Sequence, residues 1–526
     1  MKIKNLFCFF LMLGSLQMQA AFSEDQSAPE LKAEVAQQTI TSANLKQALA
    51  ELRTLAQKQI EENALPGLAI SVVHNNKVVF AEGFGFREAG KKERVDANTV
   101  FQLASVSKSL ASSVVASLVA DGKINWDSKI VDLDPAFQMY DSWVSRQLTI
   151  RDLFCHRSGL PDHAGDFLED LGYEQAEILY RLRFQKPDSS MRSHYAYTNF
   201  GLTEAALAAA KAYNLKWEDA SAERIYKPLF MNSTSSKFSD YIARDNKALG
   251  HIRENGNWVH KFKRQPDAQS PAGGASSSVS DMAKWMIMEI ASGKFEGKEI
   301  VKAAALKETH EAQIVSGFNH LNGKAEFYGL GFNVSYDKGG RLILGHSGAF
   351  SLGAATTIKM IPEEELGICI LSNAYPTGIA EGLSQTFVEL ALSGKSSRDW
   401  LSLFKKVFAD PATLGMEKSY DYRKAPAKPL AALSNSAYLG TYKNDLYGDL
   451  IIAEENKALC VKLGPLQKTY LLKHYDRDSF YYETESENSN GPNGLIFSIG
   501  ADGKANSVLA ETLDNFGQGR FEAVKD

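Results

Sequence analysis

Three short stretches of this 526-residue chain carry side chains suited to acyl chemistry. The first is Ser105-Val-Ser-Lys108. On a helix this spacing puts hydroxyl and amine on one face, a turn apart. A lysine with a lowered pKa can then take the serine proton and promote attack on an acyl carbon. The spacing recurs at Ser335–Lys338 and Ser402–Lys405, so context must separate the three. Ser335 sits at a strand end beside Gly339-Gly340, and Ser402 falls in a connector. Ser105 instead opens a helix of small and apolar residues, Leu110 to Ala120, ended by Gly122. Backbone donors at a helix start point outward and favour negative charge, so Ser105 can supply both nucleophile and oxyanion donor. The alternative is a serine that caps a buried helix.

The second stretch is Tyr197-Thr-Asn199. A phenol beside a cationic lysine can have a lowered pKa and shuttle protons. An amide can hold a substrate carbonyl and fix the lysine. The bland alternative is a core tyrosine next to a turn asparagine. The third stretch is Gly345-His-Ser-Gly-Ala349, placed between strands. Gly348 lets the backbone approach a ligand, and the Ala349 N–H can be a second oxyanion donor. His346 is expected near the substrate as a cation or donor, with Ser347 counted among the binding residues. A tight hairpin with a structural histidine is the alternative. His156 and His163 flank the turn Ser158-Gly-Leu-Pro161 and read as structural or pocket-lining.

The surrounding pattern shows what must position these groups. Leu45, Leu49, Leu52, Leu55, Ala56 and Ile60 recur at helical spacing, and Pro66-Gly67 stops that helix. Strands are expected on both sides of Asn75-Asn76, a hairpin signal. A helix-rich middle follows, and strands return after Tyr328. Strands at both ends with helices between predict an α/β (α+β) fold, one antiparallel sheet with a helical region. Pro411, Pro426 and Pro429 mark 396–430 as a connector, and from 431 to 526 short strands and turns predict a small antiparallel β domain.

Lys plus Arg number 58 against 63 Asp plus Glu, a net charge of −5, which argues against nucleic acid as a partner. Lys2 and Lys4 precede the apolar run Leu6 to Leu16, with small residues next, as in a secretory signal peptide over 1–21. A polar lead-in occupies 22–45. The expectation is an exported protein, periplasmic or secreted, with no stable membrane span once processed. Of four cysteines, Cys155, Cys369 and Cys460 lie beyond the leader and read as buried thiols. Oligomeric state is left open.

In the order Ser-x-x-Lys, Tyr-x-Asn, His-Ser-Gly, the chain resembles the serine β-lactamase and penicillin-binding-protein superfamily, in which S-x-x-K carries the nucleophile. It is most similar to the branch of class C β-lactamases, DD-peptidases and related esterases. Pro66-Gly-Leu-Ala-Ile70, Phe101-Gln-Leu-Ala-Ser105, His156-Arg-Ser-Gly-Leu-Pro161, Ala272-Gly-Gly-Ala275 and Tyr328-Gly-Leu-Gly-Phe332 agree. The resemblance covers 46–395, while 431–526, with Tyr438-Leu-Gly-Thr-Tyr442, resembles a lipocalin-like module. It implies that Ser105 is acylated, that Lys108 and Tyr197 share the proton work, and that Asn199 orients substrate and Lys108. His346 stands where class C β-lactamases carry lysine, which favours peptidase or esterase work over antibiotic hydrolysis. The implied substrate is a small molecule or peptide, a peptidoglycan-derived one among the candidates, with no cofactor and no metal. The alternative class is a non-catalytic peptidoglycan- or partner-binding protein keeping the fold.

Overall fold

The computed structural model describes residues 39–319, 323–409, 421–489 and 491–525. The expected signal peptide, most of the lead-in and part of the connector lie outside them. The first helix spans Ser42–Glu61, with Thr41 accepting the Asn44 N–H as N-cap. The expected hairpin follows as β1 (Gly67–His74) and β2 (Lys77–Gly85). Asn75 and Asn76 both take positive φ, which a two-residue type I′ turn requires.

Six later strands complete the sheet. They are β3 (Ile314–Phe318), β4 (Ala325–Tyr328), β5 (Asn333–Tyr336), β6 (Leu342–Phe350), β7 (Ala354–Ile361) and β8 (Leu366–Ser372). Their order is β2-β1-β8-β7-β6-β5-β4-β3, so the N-terminal hairpin closes onto the last strand of this domain, with Leu68 opposite Ser372. The two edge-proximal strands β3 and β4 have no clear period and were not foreseen. β6 runs on through His346 and Gly348, so the motif expected between strands lies within one. Helices Ser42–Glu61 and Ile379–Ser393 cover one face of the sheet. The other face meets Val279–Ile290 and, beyond it, Ser107–Ala120 in the main core.

Inside the expected connector, Trp400–Ala409 is a helix that packs on Ile379–Ser393. It carries Ser402, whose hydroxyl is exposed and bonds Asp399 at 2.6 Å. The C-terminal module is a nine-stranded antiparallel sheet, from Gly440–Asn444 to Arg520–Ala523, curled into a nearly closed barrel. Its interior is continuous with the core of the first domain. The seam is polar as well. Tyr173 donates to the Tyr447 carbonyl, and Arg181 donates to the carbonyls of Asp445 and Leu446.

Asp152 anchors the two loops that flank the candidate site. It is fully buried and accepts from Arg157 at 2.7 Å and from Arg192 at 2.8 and 3.0 Å. Burial raises its pKa, but the bonds from Arg192, Arg157 and Thr149 outweigh this, and the net shift is downward. Asp152→Ala leaves both guanidiniums without their carboxylate and is expected to cost about 3–5 kcal/mol in urea unfolding at neutral pH. The wild-type contribution is present above an unfolded carboxyl pKa of about 4 and is lost as pH falls through the lower folded value. A cost under about 1 kcal/mol would refute the anchor.

Candidate active site

Ser105 is delivered by backbone held on several sides. Phe101–Gln102 pairs with Ser276–Ser277, and the Leu103 N–H donates to the Ala275 carbonyl at 2.9 Å. The Leu103 carbonyl accepts from Thr356 of β7 at 2.7 Å. Ala104 is held at φ 46°, an uncommon conformation for a residue with a Cβ, and it is fully buried. A single 3₁₀ turn, Ala104–Val106, then leads into helix Ser107–Ala120. Small residues let that helix pack closely. Ser109 donates to the Gly331 carbonyl, and a Cβ on Gly331 would stand 2.6 Å from the Lys108 carbonyl.

Lys108 lies one turn on and is fully buried. Its amine donates to Ser105 Oγ at 3.1 Å, Asn199 Oδ1 at 2.6 Å and the Ala272 carbonyl at 2.9 Å. All three partners are uncharged. Burial therefore dominates over the more distant Asp166 carboxylate, and the pKa falls to about 7. The condition set for a lysine base is met.

Tyr197 shares a hydrogen bond with Ser105, and its ring lies 4.6 Å from the Lys108 amine. Its pKa is raised rather than lowered, because burial outweighs the bond to Ser105. The expectation of an easily ionised phenol is thus corrected: Tyr197 is a neutral hydroxyl that can relay a proton but does not store the negative charge. Asn199 begins helix Asn199–Lys211, and its amide nitrogen donates to Asp166 Oδ2 at 2.9 Å. This fixes the amide so that its oxygen faces Lys108.

Of the two roles expected of His346, cation or donor, the cation fails. Its Nδ1–H donates to the Ser347 carbonyl at 2.7 Å, and Nε2 accepts from the Tyr328 hydroxyl at 2.9 Å. Burial, with Lys108 adding repulsion, lowers its pKa to about 3. At neutral pH it is a neutral ring and not a partly charged substitute for lysine. Ser347 points to the opposite face of the sheet, where its hydroxyl bonds Thr357 at 3.3 Å. Only its backbone can join the cleft. Gly348 faces Ser105: a Cβ there would stand 2.8 Å from the Ser105 nitrogen. Beyond Gly345, β6 has no ladder partner on its β5 side among the described residues, so the stretch His346 to Ala349 offers backbone groups to an extended ligand.

Some participants were missed in the sequence. Asp166 orients Asn199 and accepts from His163 Nδ1 at 2.7 Å. Partial loss of water opposes charge on the half-exposed His163 ring, but Asp162 and Asp166 outweigh it and raise its pKa to about 9. The rim thus carries a cation at neutral pH. The His-x-x-Asp spacing was the available signal. His156 packs on Tyr197 and Tyr328 with ring centroids 4.6 and 4.8 Å away. It lines the pocket wall as a neutral ring, since burial lowers its pKa well below the ordinary value. Among the described residues no cluster suited to a metal ion occurs.

A sheet and a helical region meeting at a Ser–Lys–Tyr cluster around a buried amine define a class of serine hydrolase-type proteins. Residues 52–385 match the Beta-lactamase family model, and the chain belongs to the beta-lactamase family. Residues 424–520 match a domain of unknown function (DUF3471). The chain is 25% identical to Unguisins hydrolase ungD of Aspergillus violaceofuscus, over 73% of each protein. It is also 25% identical to Penicillin-binding protein 4 of Amycolatopsis lactamdurans, over 59% of this chain and 82% of that one. The octameric penicillin-binding protein homologue from Pyrococcus abyssi shares the fold, with a TM-score of 0.58 at 20% identity over 90% of this chain and 99% of that one.

Gly348 tests the close approach of β6 to Ser105. A Cβ would also stand 2.4 Å from both the Leu103 carbonyl and Thr356 Oγ1. Gly348→Ala should push β6 away from Ser105 and slow labelling of Ser105 by a fluorescent phosphonate at least about tenfold. Labelling at the parental rate would mean that the approach is not needed.

Proposed function

We propose that this protein is an exported serine hydrolase that works through a Ser105 acyl-enzyme on an amide or ester. The observation that carries this is the buried Lys108 amine, 3.1 Å from Ser105 Oγ among uncharged partners. A lysine so placed is half deprotonated near neutrality, which suits a general base. Neutral Lys108 takes the Ser105 proton, directly or through the Tyr197 hydroxyl. Ser105 Oγ attacks the acyl carbon, and the amides of Ser105 and Ala349 hold the developing oxyanion. Collapse breaks the bond to the leaving group, which receives the proton by way of Tyr197 and Lys108. Water then attacks the ester, and the same groups act in reverse.

Candidate substrates are D-Ala peptides, β-lactams and small esters. The names of two relatives, a hydrolase of unguisins and a penicillin-binding protein, are in keeping with this range. A neutral His346 offers an anionic β-lactam no charge, so compact acyl compounds without that demand are the favoured class. Export rests on the leader pattern. N-terminal sequencing of the protein expressed with its own leader should find residues near 22 at the new terminus, and an unprocessed Met1 would refute it.

Ser105→Ala should lower ester turnover by orders of magnitude while the melting temperature stays close to the parent's. Retention of more than about a tenth of the rate, a loss below about 1.4 kcal/mol of barrier, would refute the nucleophile.

The pH profile has a definite sign. As pH rises through about 7, Lys108 loses its proton, so kcat/KM for a p-nitrophenyl ester should climb and then level. His346 stays neutral throughout this range. The ratio of nitrocefin to ester kcat/KM should therefore be flat between about pH 6 and about pH 8. A ratio that rises on acidification would restore charge to His346.

A further inference from the structure

The C-terminal module reaches both sides of the cleft through the loop 485–488. On one side, Glu487 Oε1 accepts the N–H of Ser351 at 2.6 Å, in the turn directly after β6. Its second oxygen lies 3.5 Å from Arg264 Nε. On the other side, Ser486 Oγ and the Asn488 N–H both donate to Asp170, at 2.9 and 3.0 Å. The Asn488 amide donates to the backbone carbonyl of Asp166 at 3.4 Å. Asp166 is the residue whose carboxylate orients Asn199. Glu485 pairs with Lys261 at 2.8 Å.

Arg264 ties these contacts to the catalytic lysine. It is nine-tenths buried, with its guanidinium 4.8 Å from the Phe350 ring at the end of β6. It makes a two-pronged pair with Glu169, at 3.0 and 2.7 Å. Glu169 also accepts from Gln269, which opens the segment ending at Ala272, whose carbonyl accepts from Lys108. One loop of the module therefore grips three walls: the turn after β6, the helix Asp166–Leu171 and the segment 264–274.

We infer that residues 485–488 are a clamp across the catalytic cleft, with Glu487 as a positioning residue that sets β6 and the Lys108 partners relative to Ser105. The module is on this view part of the working site and not an appendage. The clamp rests on the serine-hydrolase reading for its effect on rate, but its structural effect does not. Glu487 suits the role because Arg264 keeps its Glu169 partner when Glu487 is shortened. Loss of Glu487 therefore frees the turn after β6 without leaving a bare buried cation.

The test compares Glu487→Ala with Glu487→Gln in the full chain. The glutamine oxygen can still accept from Ser351 N–H, whereas alanine cannot. Glu487→Ala should lower kcat for a p-nitrophenyl ester about tenfold or more with KM within about twofold, since small misplacements of reacting groups cost rate and not affinity. Glu487→Gln should recover kcat to within about threefold of the parent. Backbone amides in Ser351–Gly353 and in 269–275 should exchange hydrogen faster in the alanine variant only. A folded Glu487→Ala protein with parental kcat, or unchanged exchange in both segments, overturns the clamp. Should Glu487→Ala fail to fold, the pair Ser486→Ala and Asn488→Ala removes the Ser486 hydroxyl's bonds to Asp170 and Ser489 and the Asn488 amide's bond to the Asp166 carbonyl, leaving the Asn488 N–H on Asp170, and parental kcat and exchange there overturn it equally. If the parent shows no Ser105-dependent phosphonate labelling, the hydrolase reading falls, and the exchange comparison still decides the clamp.

Discussion

Taking one lysine amine out of water governs the candidate site. A charged amine in a dry interior is stable only with a carboxylate in contact, and Lys108 has none. Its three oxygens stabilise it through hydrogen bonds yet leave the neutral form within reach near pH 7. A carboxylate in place of Asn199 would keep the amine protonated, and an open cleft would let water do the same. The helix packing, the amide orientation by Asp166 and the closed walls all serve this balance.

The same burial acts on every titratable ring nearby. It keeps Tyr197 protonated and His156 and His346 neutral, so aromatic groups line the cleft as neutral donors and acceptors. Charge is placed at the rim instead, on His163 between two carboxylates. In such a site the proton moves between uncharged oxygens and one amine. That suits attack on a neutral acyl carbon better than capture of a carboxylate.

The walls depend on contacts distant in sequence. β6 is placed by β7 on one side, and the Leu103–Thr356 bond ties β7 to the segment before Ser105. Asp166 is placed by its own short helix, which the C-terminal module also touches. The continuous apolar core across the two domains makes this seam a fixed one. The interface between the two domains is both apolar and hydrogen-bonded.

Much of this was legible in the chain. Ser105, Lys108, Tyr197 and Asn199 stood out through the order of motifs that are each weak alone, and the structure brings the four side chains together. The hairpin at Asn75-Asn76 follows from the positive φ its turn demands, and the fold class from strands at both ends. Other features had no local signature. β3 and β4 depend on their ladder partners, and the extension of β6 through His346 depends on β7. Asp166 finds Asn199 only when two helices meet. The pKa of Tyr197 moved against its expected direction, and that of His346 left its ordinary value, because a residue's type sets its ordinary value, whereas its exclusion from water is a property of everything folded around it.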